Sequence, residues 1–424
     1  MKREGSNRLL ALEGLRGVAA IMVVVFHMLL IFWCYMIYGP VISDGIQNMR
    51  FEDNLYASPL FSLYSGTFAV AIFFVLSGFV LSIGFFTTGK VQILQKLAAK
   101  RYLRLMLPAL ASIMLAWLIM SLNLSNIEQA HAVTQSAWLG PHWAFEPSFF
   151  DAIWQGIWSI FTTNEVYYNP VLWTMLYEFI GSLFIFLILI LFGKLEKRWI
   201  VYIFFIFLTF KTWYLAFILG MILADLYSQK KFPFTNTSPK LMGTILVLGM
   251  FFGGYPSFGP TNTSIYETLK ISGLTDTQNL SLYTTVGALL VIVGVLTVPA
   301  VSRVFSTRFI SGLGKYTFSL YLTHSLVLFT VTTGLFVWFI SFMGFNRAAL
   351  LALTLSIPVI VLVSYLFERY VDAPSIKASG VFANWMLGLP QNTSPAAYTA
   401  EKKTSWLRRT YNAFKQKVIE IRST

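Results

Sequence analysis

Residues 12–33, LEGLRGVAAIMVVVFHMLLIFW, carry Arg16 and His27 at the start and within a first apolar run of about 22 residues, 17–38. About 20 apolar residues in helical form cross the hydrocarbon of a bilayer, so this stretch reads as a transmembrane helix. Lys2, Arg3 and Arg8 precede it, as in a signal peptide. The run is too long for a signal core and lacks a small-x-small cleavage site, so it is read as a retained span. Arg16 and His27 are eleven positions apart. At 100° per residue they fall about 20° apart in azimuth and about 16 Å apart along the axis. One stripe thus carries a cation at the membrane edge and an imidazole near mid-bilayer. An ionisable group at that depth is costly and marks a functional position.

The rest of the chain agrees with this opening. Of 424 residues 56% are hydrophobic and 12% charged, and the mean hydropathy is +0.67. Soluble globular chains carry roughly 25% charged residues, so the composition describes an all-α polytopic membrane protein. Apolar runs at about 17–38, 64–86, 105–122, 171–193, 199–211, 213–228, 240–254, 282–300, 316–340 and 348–367 give about ten candidate transmembrane helices. Those at 199–211 and 240–254 are short. Lys90, Lys96, Lys100, Arg101 and Arg104, then Lys194, Lys197 and Arg198, then Lys230, Lys231 and Lys240, then Arg303, Arg308 and Lys315 occupy every second loop. The positive-inside rule then makes both termini cytoplasmic. The net charge of +13 lies largely in these loops and the C-terminal segment, and no nucleic-acid partner is expected. The host bilayer is expected to be the plasma membrane or an endomembrane. Cys34 is the single cysteine, which excludes a disulfide framework and a cysteine metal site.

The longest external segment, about 123–169, is rich in aromatics: Trp138, Trp143, Trp154, Trp158, Tyr167 and Tyr168. Gly140-Pro141 and Asn169-Pro170 mark turns. Residues 149–161 are expected to lie as an interfacial helix, and the segment as a whole could cover a carbohydrate or lipid. His131 and His142 are expected as solvated loop residues. Eleven apart and without a carboxylate at ligand spacing, they make a poor zinc site, and no metal is expected. Residues 1–371 are expected to form the transmembrane domain and 372–424 a cytoplasmic basic tail. In that tail Leu407, Tyr411, Phe414 and Val418 recur at helical spacing, as in a membrane-surface helix.

Five groups carry chemistry. Arg16 with His27 is the first. Arg101 and Arg104, three apart at a cytoplasmic helix start, share a face and suit a phosphate. Glu178 lies about two turns inside its span and needs a cationic or histidine partner from another helix. His324 lies about 14 Å in from Lys315, close to the level of His27, with Tyr321 and Thr323 adding hydroxyls. Ser77-Gly78 allows close approach of a backbone or thin ligand, helix packing being the usual reason for small residues in membrane helices. Two function classes fit. In one, an activated cytoplasmic donor anchors its phosphates on the arginines. A histidine then acts as general base or carries the group, with a carboxylate fixing its tautomer. In the other, the same groups relay protons in an exporter or flippase for a glycan or lipid.

The motifs LEGLRGVAAIMVVVFH, FFVLSGFVLS, Arg101-x2-Arg104 before Pro108, Trp173 with Glu178, GKYTFSLYLTH and FERYVDAP occur in the order and spacing of a known family. The chain resembles integral-membrane acyltransferase family 3 over most of residues 8–375. FERYVDAP is similar to that family's terminal Glu-Arg-Pro element, with residues inserted before Pro374. The resemblance implies about ten spans and transfer of an acetyl or other short acyl group from acyl-CoA, acetyl-CoA above all, to a hydroxyl. Implied acceptors are a glycan, a glycolipid or a hydrophobic small molecule. It implies His27 as the catalytic histidine, Arg16, Arg101 and Arg104 on the CoA side, and Glu178 and His324 as supporting residues. The acyl-carrier domain that some members append is not seen here, so a separate partner for a second transfer step is a further implied possibility.

Overall fold

The computed structural model describes residues 2–39, 52–56, 58–229, 238–259 and 264–390. Among the described residues every regular element is helical. Seven helices are long and apolar enough to cross a membrane: Leu9–Phe32, Gly66–Thr88, Val91–Ser121, Pro170–Phe192, Asp276–Thr297, Thr317–Ile340 and Phe345–Met386. The three remaining apolar runs fold as the shorter helices Trp199–Thr209, Tyr214–Ser228 and Lys240–Gly253. The first of these, at 11 residues, extends about 16 Å, roughly half the hydrocarbon thickness. Length alone therefore supports seven spans, against the ten expected. This is an all-α integral membrane protein.

Gly66–Thr88 is the most buried of the seven and packs against Leu9–Phe32, Pro170–Phe192, Tyr214–Ser228 and Asp276–Thr297. Glycine makes that central position possible. A Cβ on Gly78 would lie 2.1 Å from the Phe217 carbonyl oxygen, and one on Gly220 2.0 Å from that of Val75. The two helices thus meet backbone to backbone, which is how membrane helices gain contact where no water drives them together. The Ser77-Gly78 pair is in this respect a packing device. A second apolar cluster joins Val24, Met28 and Phe32 to Phe329, Phe336 and Ala348, and takes in Ile127, Ala130 and Leu139 from the long connecting segment. That segment is folded onto the bundle.

The boundary expected at residue 371 falls inside a continuous helix. The helix Phe345–Phe367 continues through a π-turn, Glu368–Asp372, into Ala373–Met386. Proline removes a backbone donor and crowds the preceding turn, and the wider π-turn makes room for Pro374 without ending the helix. Residues 373–386 then pack along Val91–Ser121. The expected amphipathic helix around Leu407–Val418 lies outside the described residues.

Candidate active site

Leu9–Phe32 and Thr317–Val327 bring the two intramembrane histidines together. The rings of His27 and His324 lie 5.0 Å apart between centroids, and His324 Nε2 is 3.2 Å from His27 Nδ1. Each Nδ1 also faces the carbonyl oxygen one helical turn earlier: His27 that of Val23 at 2.8 Å, His324 that of Leu320 at 2.9 Å. A carbonyl only accepts, so in the neutral dyad both Nδ1 atoms carry the proton. His27 Nδ1–H is then shared between Val23 O and the bare Nε2 of His324, leaving His27 Nε2 unprotonated. The expected carboxylate beside the imidazole is not what the fold provides. Among the described residues no carboxylate pairs with either histidine, and His324 occupies that place.

His324 is in turn held by its helix neighbours. Asn169, fully buried at the Asn-Pro turn, donates to Leu322 O (2.9 Å) and Ser112 Oγ (3.2 Å) and accepts from Ser325 Oγ (2.9 Å). The hydroxyls expected to serve the site are committed elsewhere. Tyr321 donates to Val171 O and is bonded to Thr174 Oγ1, and Thr323 donates to Ser319 O.

The three arginines converge on one cavity of about 230 Å³, whose wall also includes Ser77, Glu178 and Tyr321. Each guanidinium faces a carboxylate, of which Glu178 is in the cavity wall. Arg101 bonds Glu178 Oε1 at 2.6 Å, Glu178 O at 3.2 Å and Ser182 Oγ at 2.8 Å. Arg104 pairs with Asp372 at 2.5 Å and stacks over Phe318. Arg16 lies 3.5 Å from Glu13 and from Gly314 O. Glu178 therefore finds the cationic partner its depth required, with Ser77 Oγ donating to it at 2.6 Å. It is bonded to Arg101 and Ser77, not to an imidazole. The sequence reading missed Asp372 as the counterion of Arg104, although the residue lies in the quoted FERYVDAP. Tyr321, in the wall of this cavity, has its ring 6.2 Å from that of His324.

On the other side of the dyad lies the aromatic connecting segment. Ser136 Oγ donates to Leu30 O at 2.5 Å and pins the segment over the end of the first span. Trp138 then packs on His27 (5.1 Å), His142 on Trp138 (4.8 Å), and both on Phe329, which stands on the π-turn Leu328–Thr332 following His324. The expectation of solvated loop histidines fails here. His131 lies against Gly140, and His142 is desolvated enough to push its pKa down to about 4, so it is neutral at physiological pH. The helix beginning at Phe149 exposes Phe150, Trp154 and Trp158, as an interfacial helix does.

Comparisons with known proteins give the family. The profile of an acyltransferase domain matches residues 9–369. The chain is 22% identical over 411 residues to acyltransferase R4 of Phoma sp., covering 80% of this chain and 84% of that one. It is 24% identical over 398 residues to acyltransferase clz18 of Cochliobolus lunatus, covering 79% and 84%. No solved structure matches. With its site formed between membrane helices and the acyltransferase match spanning nearly its whole length, the chain belongs to acyltransferase family 3, the integral-membrane acyltransferases.

Proposed function

We infer that the protein is an acyl-CoA-dependent O-acyltransferase that moves a short acyl group, acetyl above all, from a cytoplasmic donor to the hydroxyl of a glycan, glycolipid or hydrophobic small molecule. The observation that carries this reading is the His27–His324 contact at 3.2 Å, with both Nδ1 atoms on carbonyls. It leaves one imidazole nitrogen, His27 Nε2, free to take a proton. As the acceptor oxygen attacks the thioester carbon, its proton passes to His27 Nε2. The C–O bond forms, the C–S bond breaks, and the thiolate of CoA recovers the proton. The imidazolium formed on the way is stabilised through Nδ1–H by Val23 O and His324 Nε2, the service a carboxylate gives in a catalytic triad. Arg16, Arg101 and Arg104 would take the phosphates, to which guanidinium forks are suited.

The test is His27→Ala in purified full-length protein. Transfer from [14C]acetyl-CoA should be lost while stabilisation of the fold by CoA persists. Full transfer by the variant would remove His27 from the chemistry. Alternatively, a burst of CoA stoichiometric with enzyme, seen without acceptor, would mean that His27 Nε2 itself carries the acyl group. Export of a glycan or lipid with no acylated product would favour the proton-relay reading instead.

A further inference from the structure

His142 is the one histidine beside the dyad that nothing in the mechanism uses. Its ring packs against both Trp138 and Phe329, at 4.8 and 5.2 Å, and Trp138 in turn covers His27. Yet His142 Nε2 is buried and has no hydrogen-bond partner among the described residues. A buried polar atom left unpaired is destabilising, and the two intramembrane histidines avoid this by bonding carbonyls. The surroundings of His142 are neutral and aromatic, with Trp143 also packed on Phe329. They would not solvate a charged ligand, but they fit an uncharged hydroxyl on an apolar frame. The segment is also continuous with the membrane interface. Trp143 Nε1 donates to Tyr168 O, and Tyr168 is bonded to Ser148 at the start of the helix whose Phe150, Trp154 and Trp158 are 81%, 59% and 52% exposed. Arg16 and the cavity lie toward one end of the first span and the aromatic segment, bonded to Leu30 O, toward the other, so donor and aromatic segment approach the dyad from different sides.

We propose that Trp138, His142, Trp143 and Phe329 form the acceptor half of the site. There His142 Nε2 hydrogen-bonds the incoming hydroxyl, and the acceptor is an amphiphilic alcohol drawn from the membrane interface. This rests on the acyl-transfer reading above and narrows its acceptor class.

The test uses full-length protein in lipid nanodiscs, [14C]acetyl-CoA as donor, and two acceptor probes. One is farnesol, a membrane-partitioned alcohol; the other is glucose, a water-soluble one. Farnesol should be acylated and glucose not. His142→Phe should raise the KM for farnesol about tenfold, the loss expected for one hydrogen bond in a buried site, and leave the KM for acetyl-CoA unchanged. His142→Gln, whose amide can occupy the place of Nε2, should restore part of the affinity. It also keeps the test decisive if the phenylalanine variant does not fold. Preference for glucose, or an unchanged farnesol KM in both variants, overturns the proposal. So does absence of farnesol transfer by protein that CoA stabilises. Absence of both CoA stabilisation and transfer overturns instead the acyl-transfer reading on which it rests.

Discussion

His324 decides how far the dyad can be pushed as a base. Its Nε2 is the acceptor for His27 Nδ1–H, so His324→Phe removes stabilisation of the imidazolium while leaving His27 Nε2 in place. The expected loss is about 10²–10³-fold in kcat, within the range for a general-base assembly, with the KM for acyl-CoA unchanged. His324→Gln should recover part of the rate through its amide oxygen. An unchanged kcat in the phenylalanine variant would dismiss the dyad. Glu178 should behave differently, because it holds Arg101 and Ser77 rather than an imidazole. Glu178→Ala leaves a largely buried guanidinium unpaired and should destabilise the fold by about 2–4 kcal/mol, read as a lower melting temperature. Glu178→Gln, which still accepts from both partners, should melt near the parent and keep kcat within about tenfold. A large loss of kcat without a change in melting would return Glu178 to the chemistry. Helical rise along the chain predicts the level of His324 opposite His27 and the need of Glu178 for a cationic or histidine partner, because depth follows from residue count. Azimuth between helices does not, which is why Asp372, Asn169 and the place of Glu178 beside Arg101 could not be read before the helices were packed.

The elements that hold these residues depend on close backbone contact more than on apolar length. Gly78 and Gly220 meet the carbonyls of Phe217 and Val75 with no space for a methyl group. Ser77, next to Gly78, bonds Glu178, so any shift of the two helices reaches the arginine cavity. Gly220→Ala should therefore cost about 1–3 kcal/mol, the usual penalty of overpacking, and should raise the KM for acyl-CoA although it touches no ligand. A variant that melts and binds as the parent does would show that the contact yields without consequence. The positions of the apolar helices were legible because hydropathy alone selects them. Continuation past Asp372 was not, since a proline in an apolar run ordinarily marks a helix end and the π-turn that absorbs it has no sequence signal. The folding of residues 127–143 over His27 was equally hidden, because it depends on single bonds such as Ser136 to Leu30 O.

At the scale of the molecule, the hydrogen bonds and ion pairs sort the helix ends into two groups. Arg16 with Gly314, Lys315 with Glu368, Arg104 with Asp372 and Arg198 with Asp225 tie together the end where the basic loops emerge. Ser136 with Leu30, Trp33 with Asn346, and Tyr56 with Gly259 tie the opposite end. The cavity with its three arginines belongs to the basic end, and the aromatic segment to the other. If basic loops face the cytoplasm, the donor and acceptor sides of the dyad are the two sides of the membrane, and the orientation becomes part of the mechanism. The single cysteine makes this measurable. Cys34 is buried and its thiol is pushed above its usual pKa by that burial, so it should stay silent to a membrane-impermeant maleimide at neutral pH. Exposed Lys197 and Glu146 mark the two ends, and Lys197→Cys and Glu146→Cys each add one reactive thiol. In sealed vesicles with the cytoplasmic face outward, the cysteine at position 197 should label at once and that at 146 only after detergent. The reverse order would put the arginines on the side that soluble acyl-CoA does not reach, and the assignment of that cavity to the donor would fall with it.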